Sequence, residues 1–185
     1  MEINTIKLAV ETLEEGGVIA YPSEGVWGLG CDPFNQSAVM KILELKSRSV
    51  DKGLILVASS LEQLTPLLSD LPPEYQKLLV KACPGPDTWL IPDPSQFIPP
   101  WIKGQFATVA VRISEHPLIK AMCDKFSGAV VSTSANPAGL LPAKTQAEVQ
   151  HYFPSELDYI LSGELGSANG PSVIRDLLSD KIFRE

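Results

Sequence analysis

Lys46-Ser47-Arg48 sets an ammonium and a guanidinium two residues apart, and Lys52 follows shortly after. Three cations so close in the chain can converge on a polyanion, the arginine as a planar fork and the lysines as point charges. The alternative is a solvated helix end, where the helix dipole favours lysine. Ser132-Thr133-Ser134-Ala135-Asn136 is a run of hydroxyls and an amide directly after an apolar stretch. At a strand end such groups can position sugar, phosphate or carboxylate oxygens, or they can form a turn with a helix cap.

Pro22-Ser23-Glu24 leads into Gly25-Val26-Trp27-Gly28-Leu29-Gly30. Gly28 and Gly30 would let the backbone approach a ligand closely. The pattern is not a dinucleotide fingerprint, because the third glycine and the helix start are missing. It is not a Walker A loop either, because no Gly-Lys-Ser/Thr occurs. In Thr108-Val109-Ala110-Val111-Arg112, strand alternation puts Thr108, Ala110 and Arg112 on one face. A cation in an apolar strand needs a partner, either a protein carboxylate or an anionic ligand. His116, before Pro117, reads as a helix-start or solvent-facing residue, and His151 on a polar helix receives no role.

These stretches need elements to hold them. Periodicity and breakers predict helices over 4–15 (capped by Asn4), 36–46, 117–126 and 145–153, and helical stretches at 60–69 and 73–82. Strands are predicted over 18–21, 53–58, 88–91, 108–113 and 129–133, with short ones near 158–161, 172–175 and 181–184. The proline-rich stretch 92–104 reads as an irregular surface loop. Strands and helices interleave without strict alternation, which favours an α/β sheet of mixed direction. With 185 residues, 44% of them hydrophobic, one domain over 1–185 with a substantial core is expected.

Net charge is −7, yet residues 41–52 hold four basic residues against two acidic ones. That contrast points to a focused anion site rather than a protein-wide basic face. No apolar run reaches the roughly 18 to 20 residues of a membrane span, and the first residues lack the order of a secretory signal. A cytoplasmic protein without membrane contact is therefore expected. Cys31, Cys83 and Cys123 are scattered without C-x-x-C, which favours free thiols over disulfides or zinc.

Five pieces in order resemble the YrdC/Sua5 family of threonylcarbamoyl-AMP synthases. They are Tyr21-Pro22-Ser23-Glu24 with Gly28-Leu29-Gly30; Lys46-Ser47-Arg48 with Lys52; Thr108 to Arg112; Ser134-Ala135-Asn136 with Gly139; and Ser172-Val173-Ile174. The resemblance implies a twisted, open, mixed sheet with flanking helices around a concave basic groove. It implies formation of threonylcarbamoyl-adenylate and pyrophosphate from L-threonine, bicarbonate and ATP. Other proteins would then transfer the threonylcarbamoyl group to the adenosine at position 37 of tRNA.

On this resemblance Lys46 and Arg48 are the catalytic cations. ATP is held by Lys46, Arg48, Lys52, Thr108, Ser134, Asn136 and Arg184, and threonine by Ser23, Arg112, Ser132 and Ser172. Mg²⁺ would ride on the ATP phosphates rather than in a protein metal site. As a cluster of like charges, Lys46 and Arg48 would add little to stability when empty. The family often has Thr where this chain has Ser23 and Gly25, and longer members often have His at the position of Val57.

Two other classes compete. Ser49-Val50-Asp51-Lys52 fits S-x-x-K and Lys144-Thr145 begins a K-T-G, as in serine acyl-enzymes, but Gln146 replaces the glycine. A non-catalytic RNA-binding module, or weak RNA binding beside the enzyme role, would use the same cations. The acidic net charge and the lack of a basic stripe with stacking aromatics oppose RNA binding as the main role.

Overall fold

The computed structural model describes residues 2–168, 170 and 172–184, and the side chains of Glu2, Ile3 and Arg184 lie outside that description. Among the described residues nine strands form a twisted, open sheet of mixed direction, in the order β7-β1-β2-β6-β3-β5-β4-β8-β9. They are β1 (Ile19–Pro22), β2 (Trp27–Gly30), β3 (Ile55–Ala58), β4 (Thr88–Pro92), β5 (Thr108–Ile113), β6 (Val130–Ser134), β7 (Tyr159–Ile160), β8 (Ile174–Asp176) and β9 (Ile182–Arg184). The helices are α1 (Glu2–Glu14), α2 (Gln36–Leu45), α3 (Thr65–Leu68), α4 (Pro73–Ala82), α5 (Pro100–Lys103), α6 (Pro117–Phe126) and α7 (Gln146–Tyr152).

The two faces of the sheet are used differently. Leu29, Leu56, Val109, Val111 and Val131 point to one face and pack with residues of α2, α4, α5 and α7 in the larger core. Each such side chain contributes about 1.5–3 kcal/mol on burial. On the other face Tyr21, Val57 and Val130 pack beneath α1 and α6 through Ala9, Leu13, Ile119 and Met122. Further along that same face come Ile55, Thr108, Ala110, Ser132 and Ser134, which line a cavity. Period-two alternation thus gives each strand a helix-packed end and a ligand-accessible end on one face.

Several local expectations change. Helix α1 begins at Glu2, so Asn4 lies within its first turn and does not cap it. Helix α2 is capped by Asn35, whose side chain accepts from the Ala38 N–H at 3.1 Å.

The glycine stretch contains a strand, β2, paired antiparallel with β1 and β6. Gly28 and Gly30 there make room for the buried ring of Tyr21. A Cβ on Gly30 would lie 2.7 Å from Tyr21 Cε1 and 2.7 Å from the Val131 carbonyl oxygen. Tyr21 takes the space a side chain would need at either glycine, and Gly28 also lines the cavity described below.

The stretch 92–104 is not a plain surface loop. It contains α5, and Ile98 and Ile102 are buried in the larger core. Asp93 accepts from the Phe97 and Ile98 N–H groups at 2.9 and 3.0 Å and pairs with Lys103 at 2.7 Å. That buried carboxylate ties both ends of the proline-rich segment together.

Candidate active site

The open part of the sheet forms a cavity of about 600 Å³, lined by Arg48, Lys52, Thr108, Arg112, Ser23, Ser132, Ser134 and Ser172 among others. Strand pairing fixes the floor. Ser132 lies opposite Ile55, Ile55 opposite Ala110, Ala110 opposite Leu90, and Leu90 opposite Asp176. Along β5, Thr108 and Arg112 flank Ala110 from either side, about 13 Å apart at roughly 3.3 Å per residue.

Arg48 donates from Nη2 to the Gly53 carbonyl at 2.9 Å, and Gly53 precedes β3, which runs parallel to β5. The Arg48 and Lys52 end of the cavity is therefore the Thr108 end, and Arg112 stands at the other. A smaller cavity of about 190 Å³ adjoins that second end, sharing Arg112, Gly170 and Ser172 and adding Glu24, Gly85 and Val173.

The positive charge is narrower than a basic groove. Arg112 pairs with Glu24 at 2.7 Å and Lys103 with Asp93 at 2.7 Å, while Asp176 adds an acid to the wall. Lys41 turns outward to Asp158 at 2.7 Å. Among the described residues, Arg48 and Lys52 are the cavity cations that form no ion pair. Burial holds the Arg48 guanidinium below its ordinary range, and its Nε is buried without a hydrogen bond. A half-buried guanidinium with an unmet donor is suited to an incoming anion.

Lys46, expected to contact phosphate, is not among the residues that line the cavity. It is 5% exposed, and its ammonium donates to the Ser134 carbonyl, to the Asn136 carbonyl at 2.8 Å and to Asn136 Oδ1 at 3.3 Å. The three donors of a lysine are thus met by protein oxygens. Burial, and then the nearby charge of Arg48, lower its pKa to about 8. It therefore remains mostly charged at neutral pH.

Asn136 is not directed at the cavity either. It accepts from Ser134 Oγ at 2.6 Å and donates to the Pro137 and Leu140 carbonyls at 3.1 and 2.8 Å. Lys46 and Asn136 together clamp the end of α2 to the end of β6, and Ser134 faces the cavity from that clamp.

Two of the hydroxyls also have protein partners. Ser23 Oγ donates to the Val26 carbonyl at 2.7 Å, and Ser172 Oγ lies 2.6 Å from Thr88 Oγ1. The Ser23 and Ser132 hydroxyls keep lone pairs for a further bond. Arg184 belongs to β9, but its side chain lies outside the described residues, as does Pro171 beside Ser172.

Val57 is fully buried beneath α6. His116 holds the N-cap position of α6, as its place before Pro117 suggests, but its side chain makes no cap bond; the ring is buried with Nε2 at 3.1 Å from the Glu164 carbonyl oxygen. Glu24, Lys103 and Asp176 carry no role in the residue-type reading, although Glu24 sits inside one of its motifs.

The S-x-x-K residues have ordinary structural uses. Ser49 caps a short 3₁₀ turn, and Thr145 forms a capping box with Glu148 at the start of α7. Among the described residues no group of three or more His, Cys, Asp or Glu comes together as a metal centre. No described helix is long and apolar enough to cross a membrane.

The sequence matches the Sua5/YciO/YrdC family, described as "Telomere recombination", over residues 11–185. It is 57% identical to a threonylcarbamoyl-AMP synthase of Saccharophagus degradans, covering 95% of this chain and 91% of that protein. It is 49% identical to a threonylcarbamoyl-AMP synthase of Pseudomonas aeruginosa over 95% and 94% of the two chains.

P. abyssi Sua5 complexed with L-threonine superposes with a TM-score of 0.85 and 31% identity over 92% of this chain. This chain spans 50% of that longer protein. E. coli YciO shares the fold, with a TM-score of 0.84, 23% identity, and coverage of 100% of this chain and 90% of its own. With its sequence matching the family model over residues 11–185 and its fold superposing on Sua5, the chain belongs to the Sua5/YciO/YrdC family.

Proposed function

We propose that the protein is a threonylcarbamoyl-AMP synthase, a nucleotidyltransferase that joins L-threonine, bicarbonate and ATP. The observation that carries this reading is the polarity of the 600 Å³ cavity. It has unpaired cations at the Thr108 end and a guanidinium at the other, with hydroxyls between. The relatives at 57% and 49% identity, matched over nearly their whole length, bear that name.

In this reading the triphosphate lies toward Arg48 and Lys52, with Mg²⁺ as part of the substrate. The threonine carboxylate meets Arg112, and Ser23, Ser132 and Ser172 orient the amino acid. Ser134 and Thr108 face the nucleotide. Bicarbonate and the threonine amine give N-carboxy-threonine and water. A carbamate oxygen then forms a bond to the α-phosphorus as the α–β bridging P–O bond breaks, and pyrophosphate leaves with that electron pair. Two anions must approach, so fixed positive charge and fixed geometry are what the protein supplies. The product would pass in the cytoplasm to proteins that modify tRNA.

Pyrophosphate is expected only when threonine, bicarbonate and ATP are all present, as read by a coupled phosphate assay. Release that ignores threonine would sink the reading. Arg112→Ala is expected to raise the threonine requirement by about 10- to 150-fold, the effect of losing a charged hydrogen bond of about 1.5–3 kcal/mol. The ATP requirement should change much less. Equal weakening of both substrates, in initial-rate measurements, would remove Arg112 from the amino-acid site.

A further inference from the structure

The ion pair between Arg112 and Glu24 stands on the wall of the smaller cavity, where it meets the larger one. The 2.7 Å contact brings the charges together without aligning them as a hydrogen bond. It leaves two buried polar atoms unmet, Arg112 Nε and Glu24 Oε2. One is a donor on a cation and the other an acceptor on an anion. A ligand that satisfies both offers an acceptor to the guanidinium and a donor to the carboxylate a few bonds apart, and the carboxylate and ammonium of a free α-amino acid do so with matching charges.

Glu24 is aimed by the fold. Its Oε1 accepts from Ser114 Oγ at 2.5 Å, and buried Ser114 accepts in turn from the His116 N–H at 3.1 Å. The backbone around Glu24 is tied by the Gly166 N–H to the Ser23 carbonyl and by the Ala168 N–H to the Glu24 carbonyl, both at 2.9 Å. One carboxylate oxygen is thereby anchored while the other can change partners.

We propose that Glu24 recognises the α-ammonium of the amino-acid substrate. The internal Arg112–Glu24 pair would give way to two ligand pairs, Arg112 with the carboxylate and Glu24 with the ammonium. This rests on the reading of the protein as a threonine-using enzyme. In the empty site each side chain neutralises the other, so no bare charge is left against the cavity wall. An acid that lacks the ammonium would bring its negative charge against Glu24, which makes the carboxylate a device for rejection as well as for binding. The proposal concerns capture of the ammonium form, before the nitrogen loses its proton and is carboxylated.

The test is calorimetric binding of L-threonine, of 2,3-dihydroxybutanoate (a hydroxyl in place of the ammonium) and of ATP. Glu24→Gln is expected to weaken threonine by at least about tenfold, the scale of one charged hydrogen bond. It should tighten dihydroxybutanoate relative to wild type and leave ATP within about twofold. Equal weakening of the two acids would mean that Glu24 only positions Arg112, and unchanged threonine binding would mean no contact; either result overturns the proposal.

Ser114→Ala removes the anchor and keeps the charge. It should weaken threonine more than dihydroxybutanoate, which decides the matter even if the glutamine variant fails to fold. Failure of the functional reading is separate: it appears as wild-type pyrophosphate release that needs no threonine.

Discussion

Lys46→Ala is expected to lower the melting temperature by roughly 6 to 12 °C and to cut turnover at saturating substrates at least about tenfold. Both effects come from the clamp. The ammonium is buried and holds the Ser134 carbonyl together with two oxygens of Asn136. Removing it strands those acceptors away from water, at a cost of about 3 kcal/mol for a set of charged, buried contacts. At this chain length each kcal/mol moves the midpoint by about 2 to 4 °C.

Turnover falls because Ser134 loses the support that sets it on the cavity wall. Lys46→Arg should rescue neither property. Three oxygens converging on one nitrogen suit a compact ammonium, and a planar fork cannot meet them. Calorimetric melting and steady-state pyrophosphate release check the two halves. A variant of wild-type stability would show that the clamp holds nothing.

Arg48→Ala is expected to separate what Lys46→Ala joins. Arg48 gives the fold one good hydrogen bond, to the Gly53 carbonyl at 2.9 Å, and a longer one to the Lys52 carbonyl at 3.4 Å. Their loss costs about 1 kcal/mol, a fall of about 2 to 4 °C. Turnover at saturating ATP should nevertheless drop at least about tenfold, the effect of about 1.4 kcal/mol in the transition state. Negative charge grows on the leaving oxygens as the bond to pyrophosphate breaks, and a cation aimed there acts on rate rather than on binding alone. Wild-type turnover at saturation would assign Arg48 to the structure of the 48–53 loop and nothing more.

The contrast between these two residues marks how far the sequence could be read. Both were legible as cations near a helix end. Which of them faces the cavity was not, because Lys46 finds its partners 88 and 90 residues away. No local pattern announces such a partnership. Strand β5 and helix α6 were fully legible, since alternation of Val109, Val111 and Ile113 and a proline at the helix start are local signals.

Strand β2 was not legible as a strand. Glycine is poor in strands by propensity, and its presence there reflects a ring packed from the neighbouring strand. The segment 92–104 misled for the same reason. Its prolines are local, while the Asp93–Lys103 pair that folds it inward is tertiary. Glu24 was visible as a letter in a motif, but its meaning depends on Arg112 of β5 and on Ser114 just after that strand.

The seat of Tyr21 has a consequence for descent with modification. Gly28 and Gly30 look alike in the sequence, yet they are closed by different things. Gly28 is crowded by the Tyr21 ring at 3.3 Å, whereas Gly30 is also crowded by the Val131 carbonyl oxygen at 2.7 Å. A lineage that replaced Tyr21 by a small residue would release the first position to accept a methyl group and leave the second locked by main chain. Positions 21 and 28 are therefore expected to vary as a pair among relatives, and position 30 to stay glycine, whatever the cavity beside them comes to bind.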